Sequence, residues 1–504
     1  MFEVKKFSLE NGRDLRAILT QKDANEIGLF PKDKIEVICS SNLNKRIICD
    51  LEIFECIKDC NVFLKRGEIG LYEEAYDKLK LSSKQRVKII PAHSPHSLEL
   101  IREKFRGKIK LTQKDFEEII EEILENKYSD ITKTFFVLAC ASHSLDDKET
   151  IGLTNAMVNV GKILEFKKEK NEIIFDKHCI GGVPNNRTSM IIIPILASLG
   201  IKIPKTSSRS ITSPAGTADT MEVLANVEVG LSKMHDIVEK VGACLIWGGG
   251  VDLSPADDVI IEIEHPLEID SEGQMIASIL SKKKCAGATH VLLDIPIGKT
   301  AKVNSEEHAM HLKKRFERIG KAIGLEIKVI ITDGSEPIGC GVGPVLEAKD
   351  VIKVLSCAKD APEDLREKSL MMAGIILEIA KHAKVGKGRD LAETVIESGL
   401  AMKKFEEIRI AQGKKELPSQ AKYVEKMLAK KEGKIKSIHN KLISRTAFLL
   451  GAPNDKVAGL RILKKVGDSV KINEPILELH SNSKLKLEYG ISYVQRHLGI
   501  VKID

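Results

Sequence analysis

Strand and helix patterns alternate between residues 171 and 333, and this alternation constrains the fold more than any other feature of the chain. The runs "NEIIFDKH", "IKIPKTSS", "VLLDIPIG" and "EIKVIITD" are short and apolar like buried strands, and "TSMIIIPILASLG" has the length and composition of a buried helix. Strands that alternate with helices form a parallel sheet with helices packed on its faces. The sequence therefore predicts a large α/β lobe, which we bound at residues 171–415.

Three further segments flank this lobe. Residues 1–85 alternate short apolar runs with turn signals, which predicts an extra N-terminal β-rich domain. Residues 95–170 carry amphipathic helix patterns and predict a helical lobe, to which a segment of about 255–285 returns. Residues 416–504 have the mixed pattern of an α+β domain that resembles a barrel-sandwich. The fold class is therefore α/β and α+β multidomain, with a helical lobe and a large α/β lobe with a mixed or parallel sheet.

Composition and charge exclude several classes of protein. The chain has 79 basic and 72 acidic residues among 504, and a net charge of +7 is too small for a nucleic-acid-binding surface. Its longest nearly apolar run, Met190 to Ile201, is too short to span a bilayer. The ten cysteines include no CxxC pair, and the N-terminus lacks the apolar region of a signal peptide. We expect a cytoplasmic protein with reduced thiols and no structural metal.

The stretch "DKHCIGGVPNNRTS", residues 176–189, lies between a predicted strand and a predicted helix. Gly181 and Gly182 let the backbone approach a ligand closely, and the helix N-terminus offers free N–H groups. Lys177 adds a charge at the carboxyl end of the strand, where open α/β sheets bind ligands. Two interpretations are equally open for this loop alone, an anion site and an ordinary strand-to-helix turn.

The stretch "SSRSITSPAGTADT", residues 207–220, also follows a predicted strand. A serine that caps a helix would explain one of its hydroxyl groups, but it does not explain five of them beside an arginine. Two such loops about 30 residues apart would lie side by side at one end of the sheet. Together they predict an anion-binding site.

These stretches, with "ASILSKK", "ITDGSEPIGCGVGPVLEA" and "KKVGDSV", resemble the thymidine and pyrimidine-nucleoside phosphorylase family over residues 95–504. The resemblance implies a helical lobe, a larger α/β lobe that binds phosphate, and a nucleoside site in the cleft between them. It also implies an enzyme, a pentosyltransferase that reversibly cleaves the N-glycosidic bond with inorganic phosphate as co-substrate and no cofactor. The family pattern implies a homodimer, which the N-terminal domain could join into larger homo-oligomers.

The chain departs from the family pattern at three places. It has "KHC" for the family's KHS and "GVPNN" for GVGD, and "ADD" at 256–258 replaces the leucine-arginine-aspartate segment that reads a pyrimidine. With the extra N-terminal domain, these departures resemble the archaeal AMP phosphorylase branch. That branch converts AMP and phosphate into adenine and ribose 1,5-bisphosphate in nucleotide degradation and purine salvage, and CMP and UMP are possible further substrates.

The resemblance also implies roles for single residues. Lys177 would bind phosphate, and Asp270 would be the proton donor to the leaving base. The substrate-binding residues would be Gly182, Ser208, Arg209, Ser210, Ile211, Thr212, Ser213, Thr217, Ser278 and Lys302.

Each role has a structural alternative. Asp270 could instead cap the helix that follows it, Ser278 could lie on a helix surface, and Lys302 could be a solvated lysine. His178 could orient substrate or be hydrogen-bonded within the fold. For Trp247, a packing role is favoured over a role in the chemistry.

Three other functions remain open from the sequence. The first is a pyrimidine-nucleoside phosphorylase. The second is a phosphoribosyltransferase of related fold, although no pair of acidic residues for magnesium stands beside the two loops. The third is a non-catalytic nucleotide-binding scaffold, against which the joint presence of Lys177, the hydroxyl-rich loop and Asp270 argues.

Overall fold

A computed structural model describes most of the chain as two compact units. The first comprises Met1–Val160 with Ala256–Gln274, and the second comprises Gly161–Pro255 with Met275–Asp504. The structure describes residues 1–9, 12, 14–55, 63–81, 85–166, 172–210, 213–251, 253–267, 269 and 271–504. For His265 it describes the backbone only. Asp270, Ile211 and Thr212 therefore lie outside the described residues.

The first unit begins with a closed six-stranded barrel. Its strands are β1 (Phe2–Phe7), β2 (Arg16–Thr20), β3 (Lys34–Cys39), β4 (Arg46–Phe54), β5 (Glu68–Tyr72) and β6 (Arg86–Pro91), with α1 (Gln21–Glu26) and α2 (Glu73–Leu79). The barrel order is β1-β5-β2-β4-β3-β6. Ile35, Val37 and Cys39 alternate with more exposed residues along β3, as expected for one face turned to a core. The β-rich domain extends to Pro91, past the expected bound of 85.

Helices form the rest of the first unit. They are α3 (Leu98–Phe105), α4 (Gln113–Leu124), α5 (Asp130–Ser142), α6 (Asp147–Val160) and most of α10 (Pro255–Leu267). A capping box starts α4, because Thr112 Oγ1 accepts from the Asp115 amide and Asp115 Oδ2 accepts from the Thr112 amide. The segment 256–274 groups with this unit and lies within the returning segment predicted from the sequence.

The second unit is built on parallel strands. They are β7 (Phe175–Cys179), β8 (Ile203–Ser207), β9 (Ala243–Trp247), β10 (His290–Ile297) and β11 (Glu326–Asp333). The ladder β9-β8 joins the ladder β7-β10-β11 through a parallel bridge between Ile174 and Lys202. The predicted alternation and the α/β class are confirmed. The carboxyl ends of β7 and β8 lead into the two loops that the sequence analysis singled out, and the carboxyl end of β10 leads towards Lys302.

Helices surround this sheet within the unit. They are α7 (Thr188–Ser198), α8 (Thr217–Glu222), α9 (Leu231–Val241), α11 (Glu272–Cys285), α12 (Glu306–Ala322), α13 (Pro344–Leu355), α14 (Glu363–Ile379), α15 (Gly388–Glu397) and α16 (Leu400–Gln412), with a 3₁₀ turn at Gly248–Gly250. Residues Thr188 to Ala197 of α7 are all buried, as an apolar sequence without a polar face requires.

The C-terminal part of the second unit is antiparallel. It contains β12 (Gly341–Val342), β13 (Tyr423–Leu428), β14 (Gly433–Ile438), β15 (Gly459–Ile462), β16 (Ser469–Val470), β17 (Pro475–Ser481), β18 (Val501–Ile503), α17 (Asn440–Leu450) and α18 (Lys484–Arg496). One sheet has the order β12-β15-β17-β13 and the other β16-β14-β18. No helix in the described part of the chain has the length and apolar character needed to cross a membrane.

Candidate active site

The glycine-rich loop after β7 turns sharply and packs against the loop after β10. Gly181 and Gly182 have φ values of +93° and +89°, which only glycine adopts without strain. A Cβ atom on Gly182 would lie 2.4 Å from the Lys302 amide nitrogen, so no side chain fits there. The structure therefore brings Gly182 and Lys302 together, although they are far apart in sequence.

Lys177 is a buried ammonium group beneath this loop. Lys177 is only 2% exposed, and its Nζ donates a hydrogen bond to Thr188 Oγ1 at 2.7 Å. Among the residues that the structure describes, no carboxylate forms an ion pair with it. Burial lowers its pKa, and the charge of Asp294 partly opposes that shift. A cation held out of water without a counterion is costly, so a bound anion would stabilise this group.

Further buried charges surround the same strand ends. Asp176 Oδ2 lies 2.6 Å from Lys283 Nζ, and Oδ1 lies 3.4 Å from Lys205 Nζ. Burial lowers the pKa of Lys205 to about 7, while Asp176 opposes that shift. Burial and the charges of Lys283, Lys205 and Lys177 hold the pKa of His178 well below its ordinary value. The imidazole is therefore neutral at pH 7, in a region with an excess of positive charge.

Asp294 on β10 fixes the far side of the glycine-rich loop. It is fully buried, lies 3.1 Å from Lys368 Nζ and accepts from Thr332 Oγ1 at 2.5 Å and from Asn186 Nδ2 at 3.3 Å. Lys368 and Thr332 are far from the loop in sequence, so the local sequence pattern did not indicate either of them. No three histidine, cysteine or acidic side chains in the described ranges converge to hold a metal ion.

Asp219 organises the hydroxyl-rich loop after β8. Its Oδ2 accepts from the amides of Ser210 at 2.6 Å and Gly216 at 2.9 Å. Ser210 Oγ donates to the Ser213 carbonyl, and Ser213 Oγ donates to the Ala215 carbonyl. The loop is therefore closed on itself, with its hydroxyl oxygens still able to accept hydrogen bonds.

The structure gives Arg209 intramolecular partners. Its guanidinium lies 3.2 Å from Asp219, 2.8 Å from Glu222 and 2.7 Å from Glu228, and it stacks 4.8 Å from the Trp247 ring centroid. Glu222 and the other carboxylates raise its pKa. The sequence analysis expected this charge to face an anion, but the described contacts use it to brace the loop. A direct contact between Arg209 and substrate stays a prediction.

Arg187 joins the two loops, and sequence reasoning did not single it out. Nη1 donates to Thr217 Oγ1 at 2.8 Å, and Nη2 donates to the Ala215 carbonyl at 3.0 Å. Arg187 directly precedes Thr188, which accepts from Lys177. The sequence feature that could have pointed to Arg187 is its position within "DKHCIGGVPNNRTS", directly before a helix that the sequence predicts to be buried.

Ser278 lies on α11, which contacts β7 through the Lys283–Asp176 ion pair. Lys282 is four residues after Ser278 and therefore on the same helix face, and its charge also lowers the pKa of His178. The described site residues Lys177, Gly182, Ser208, Arg209, Ser210, Ser213, Thr217, Ser278 and Lys302 all belong to the second unit.

Three family models match separate parts of the chain. The glycosyl transferase family helical bundle domain matches residues 98–161, and the a/b domain of the same family matches residues 171–402. The pyrimidine nucleoside phosphorylase C-terminal domain matches residues 434–501. The fold and these matches define an enzyme of the glycosyl transferase class.

Curated relatives identify the family more closely. A protein of Tolumonas auensis named "Putative thymidine phosphorylase" is 41% identical over 479 residues, which cover 95% of this chain and 92% of the relative. "Putative thymidine phosphorylase 1" of an Acidovorax species is 44% identical over 443 residues, or 88% and 86% of the two chains. The chain belongs to the thymidine and pyrimidine-nucleoside phosphorylase family.

A solved structure supports the fold alone. Anthranilate phosphoribosyltransferase from Thermus thermophilus aligns with a TM-score of 0.51 at 17% identity. The alignment covers 62% of this chain and 98% of the phosphoribosyltransferase.

Proposed function

We propose that this enzyme is a nucleoside 5′-monophosphate phosphorylase. It converts AMP and inorganic phosphate into adenine and ribose 1,5-bisphosphate, with CMP and UMP as further substrates. The observation that carries the proposal is the buried ammonium group of Lys177, which has no carboxylate partner in the described part of the chain. Phosphate supplies the missing negative charge and gains a charge-assisted hydrogen bond.

The nucleotide brings a second phosphate group, and the second loop suits it. Ser208 to Thr217 follow β8 directly, and Arg187 ties that loop to the one that carries Gly182. Lys302 lies against Gly182 and adds a cation on the same edge of the sheet. A site for inorganic phosphate alone would not need both loops and a further lysine. The missing pyrimidine-reading arginine also favours a substrate other than a pyrimidine nucleoside.

The reaction requires three contributions from the enzyme. Lys177 and Thr188 orient phosphate so that one of its oxygens attacks C1′ while the bond from C1′ to the base nitrogen breaks. Neutral His178 and Ser278 offer hydrogen bonds without adding positive charge beside an oxocarbenium-like sugar. The leaving base takes a proton, for which the resemblance assigns Asp270. We propose that the reaction uses no cofactor, and that the enzyme acts in the cytoplasm as a homodimer or larger homo-oligomer.

A second candidate is a pyrimidine-nucleoside phosphorylase. The names of the relatives and the match of residues 434–501 to the pyrimidine nucleoside phosphorylase C-terminal domain favour it. The two candidates differ in whether a 5′-phosphate contributes to binding, which a direct comparison of substrates measures.

The enzyme is expected to cleave AMP far better than adenosine or thymidine when phosphate is in excess. A charge-assisted contact to the 5′-phosphate contributes about 1.5–3 kcal/mol, so its loss lowers kcat/KM by roughly ten- to a hundredfold. Release of free base from AMP, adenosine and thymidine, measured side by side, checks this. Equal kcat/KM for AMP and adenosine would refute the second anion site, and a preference for thymidine would support the second candidate.

Lys177→Met is expected to weaken the use of phosphate without lowering stability. Loss of a charge-assisted contact of about 1.5–3 kcal/mol lowers kcat/KM for phosphate by roughly ten- to a hundredfold. The variant also removes an unpaired buried charge, so its Tm should equal or exceed that of the wild type. Initial rates at varied phosphate and thermal melting test both parts. A lowered Tm with unchanged phosphate kinetics would show that Lys177 serves the fold.

A further inference from the structure

Helix α13 follows the stretch "ITDGSEPIGCGV", for which the proposed chemistry has no use, and it places a fully buried carboxylate beside the two loops. Glu347 Oε2 lies 2.8 Å from Arg187 Nε and accepts from Thr220 Oγ1 at 3.2 Å. Its other oxygen accepts from the Gly343 amide at 3.2 Å. One carboxylate therefore contacts the end of the glycine-rich loop, helix α8 after the second loop, and the start of its own helix.

Each nitrogen of the Arg187 guanidinium group lies close to a different partner. Nε faces Glu347, while Nη1 and Nη2 donate to Thr217 and Ala215 of the second loop. Arg187 is only 6% exposed, so its position is fixed by these partners and not by solvent. The neighbouring Thr188 accepts from Lys177, so a shift of Arg187 also moves a contact of the proposed phosphate ligand.

A second acidic residue of α13 holds the same loop one turn later. Asp350 Oδ2 accepts from Asn185 Nδ2 at 2.7 Å and from the amides of Cys340 and Gly341 at 2.8 and 2.7 Å. Asn185 has a φ of +55°, a conformation that needs such support in a residue other than glycine. Helix α13 is thus attached to the glycine-rich loop at Asn185 and at Arg187.

We propose that Arg187 and Glu347 form a positioning pair that sets the separation of the two anion loops. Neither side chain touches the reacting atoms in this scheme. The pair acts through Thr188 and Thr217, which it holds at fixed positions on opposite sides of the bound anions. The inference rests on the proposed function in one respect: inorganic phosphate is taken to be the anion that binds at the glycine-rich loop.

The geometry explains why an ion pair is used at this point. A neutral side chain could not satisfy the guanidinium, which would then be buried with an uncompensated charge. Burial raises the pKa of Glu347 to about 7, and the charge of Arg187 opposes that shift. At about pH 8 the carboxylate is therefore ionised and the pair is intact.

The test compares Glu347→Gln, Arg187→Met and the double variant in the full chain at about pH 8. Phosphate affinity is measured by calorimetric titration. The emission of Trp247, the only tryptophan, reports on the second loop because its ring stacks on Arg209. Each single variant is expected to bind phosphate about 10- to 100-fold more weakly, since misplacing a binding group by about 1 Å has effects of that size. The emission of Trp247 should shift as well.

The double variant is the control that separates weaker phosphate binding from misfolding. Replacing both partners of a buried ion pair leaves no uncompensated charge, so it should keep a Tm near that of the wild type. Its phosphate affinity should stay close to that of the single variants, about 10- to 100-fold below that of the wild type, because the two residues act as a unit. Arg389→Met and Glu367→Gln break a partly exposed ion pair of 2.7 Å elsewhere in the second unit and should change neither affinity nor emission.

The outcomes separate this inference from the proposed function. Wild-type phosphate affinity in a folded double variant would overturn the positioning role. Failure of the wild type to bind phosphate would overturn both proposals. Phosphate binding without AMP cleavage would overturn the proposed substrate and leave the positioning role standing.

Discussion

Asp270→Asn is expected to lower kcat for AMP by about 10²–10⁴-fold while leaving nucleotide binding nearly unchanged. A general acid contributes rate enhancement of this size, and all of it arises in the transition state. Asparagine keeps the size of aspartate and can still accept a hydrogen bond, but it cannot give a proton to the leaving base. Steady-state kinetics and equilibrium binding of AMP, measured on the same preparation, separate the two effects.

The structural alternative for Asp270 was a helix cap, and the bounds of α11 bear on it. The helix begins at Glu272, so Ser271 stands in the position directly before it. Ser271 is a residue type that caps helices well. Glu272→Gln is a matched control, because it removes a carboxylate two residues away at the start of the same helix. That variant should lose at most about 1 kcal/mol in stability and keep its kcat.

The pH dependence of kcat gives an independent check. A general acid works only while protonated, so the rate of the wild type should fall at high pH, and that limb should vanish in the asparagine variant. Saturating AMP and phosphate are used so that changes in binding with pH, such as those expected when a buried lysine with a pKa of about 7 lies beside Lys177, do not affect the profile. If the variant keeps most of its kcat, the proton comes from another group, with Asp257 or a water molecule held by Ser278 as the next candidates.

Local sequence patterns predicted the strands β7, β8, β10 and β11 and the helix α7 of the second unit, whereas β9 was not predicted. Short strands rich in β-branched residues that alternate with buried helices indicate a parallel sheet. In such a sheet, the loops that follow the strands lie at its carboxyl edge. Lys177 could be found because it stands four residues before the first glycine of a glycine-rich turn. The depth of its burial and its hydrogen bond to Thr188 needed the three-dimensional structure.

Contacts between distant segments could not be predicted. The pattern of residues 1–85 indicated strands, but closure of the barrel depends on pairs such as β1 with β5 and β2 with β4, which are not adjacent in sequence. The same limit applied to Glu347, which reaches Arg187 from a separate helix. Arg209 shows the same limit from another side. Its neighbours in sequence suggested an anion, whereas folding brings carboxylates to it.

Asp176→Asn is expected to destabilise the folded enzyme by about 3–5 kcal/mol near neutral pH. Removing one partner of a buried ion pair leaves the other charge uncompensated, and here two lysines lose the same carboxylate. The residue is fully buried, so water cannot replace the lost partner. Thermal and denaturant unfolding measure the effect. Asp390→Asn, which breaks an exposed ion pair with Lys387, is the matched control and should leave Tm unchanged.

The loss of stability should also depend on pH in a definite direction. The pKa of Lys205 is about 7 in the folded enzyme and near 10.4 in an unfolded chain, so above pH 7 the unfolded state binds more protons. Stability from this group therefore rises with pH across that interval. In the asparagine variant the pKa of Lys205 falls further, because Asp176 no longer opposes the effect of burial, and deprotonation of Lys205 relieves part of the uncompensated charge. The difference in Tm between variant and wild type should therefore be largest near about pH 6.5 and smaller near about pH 9.5. A difference that stays constant over this range would show that the cost comes from lost hydrogen bonds, such as the one from the Lys177 amide to Asp176, and not from the lysine charges.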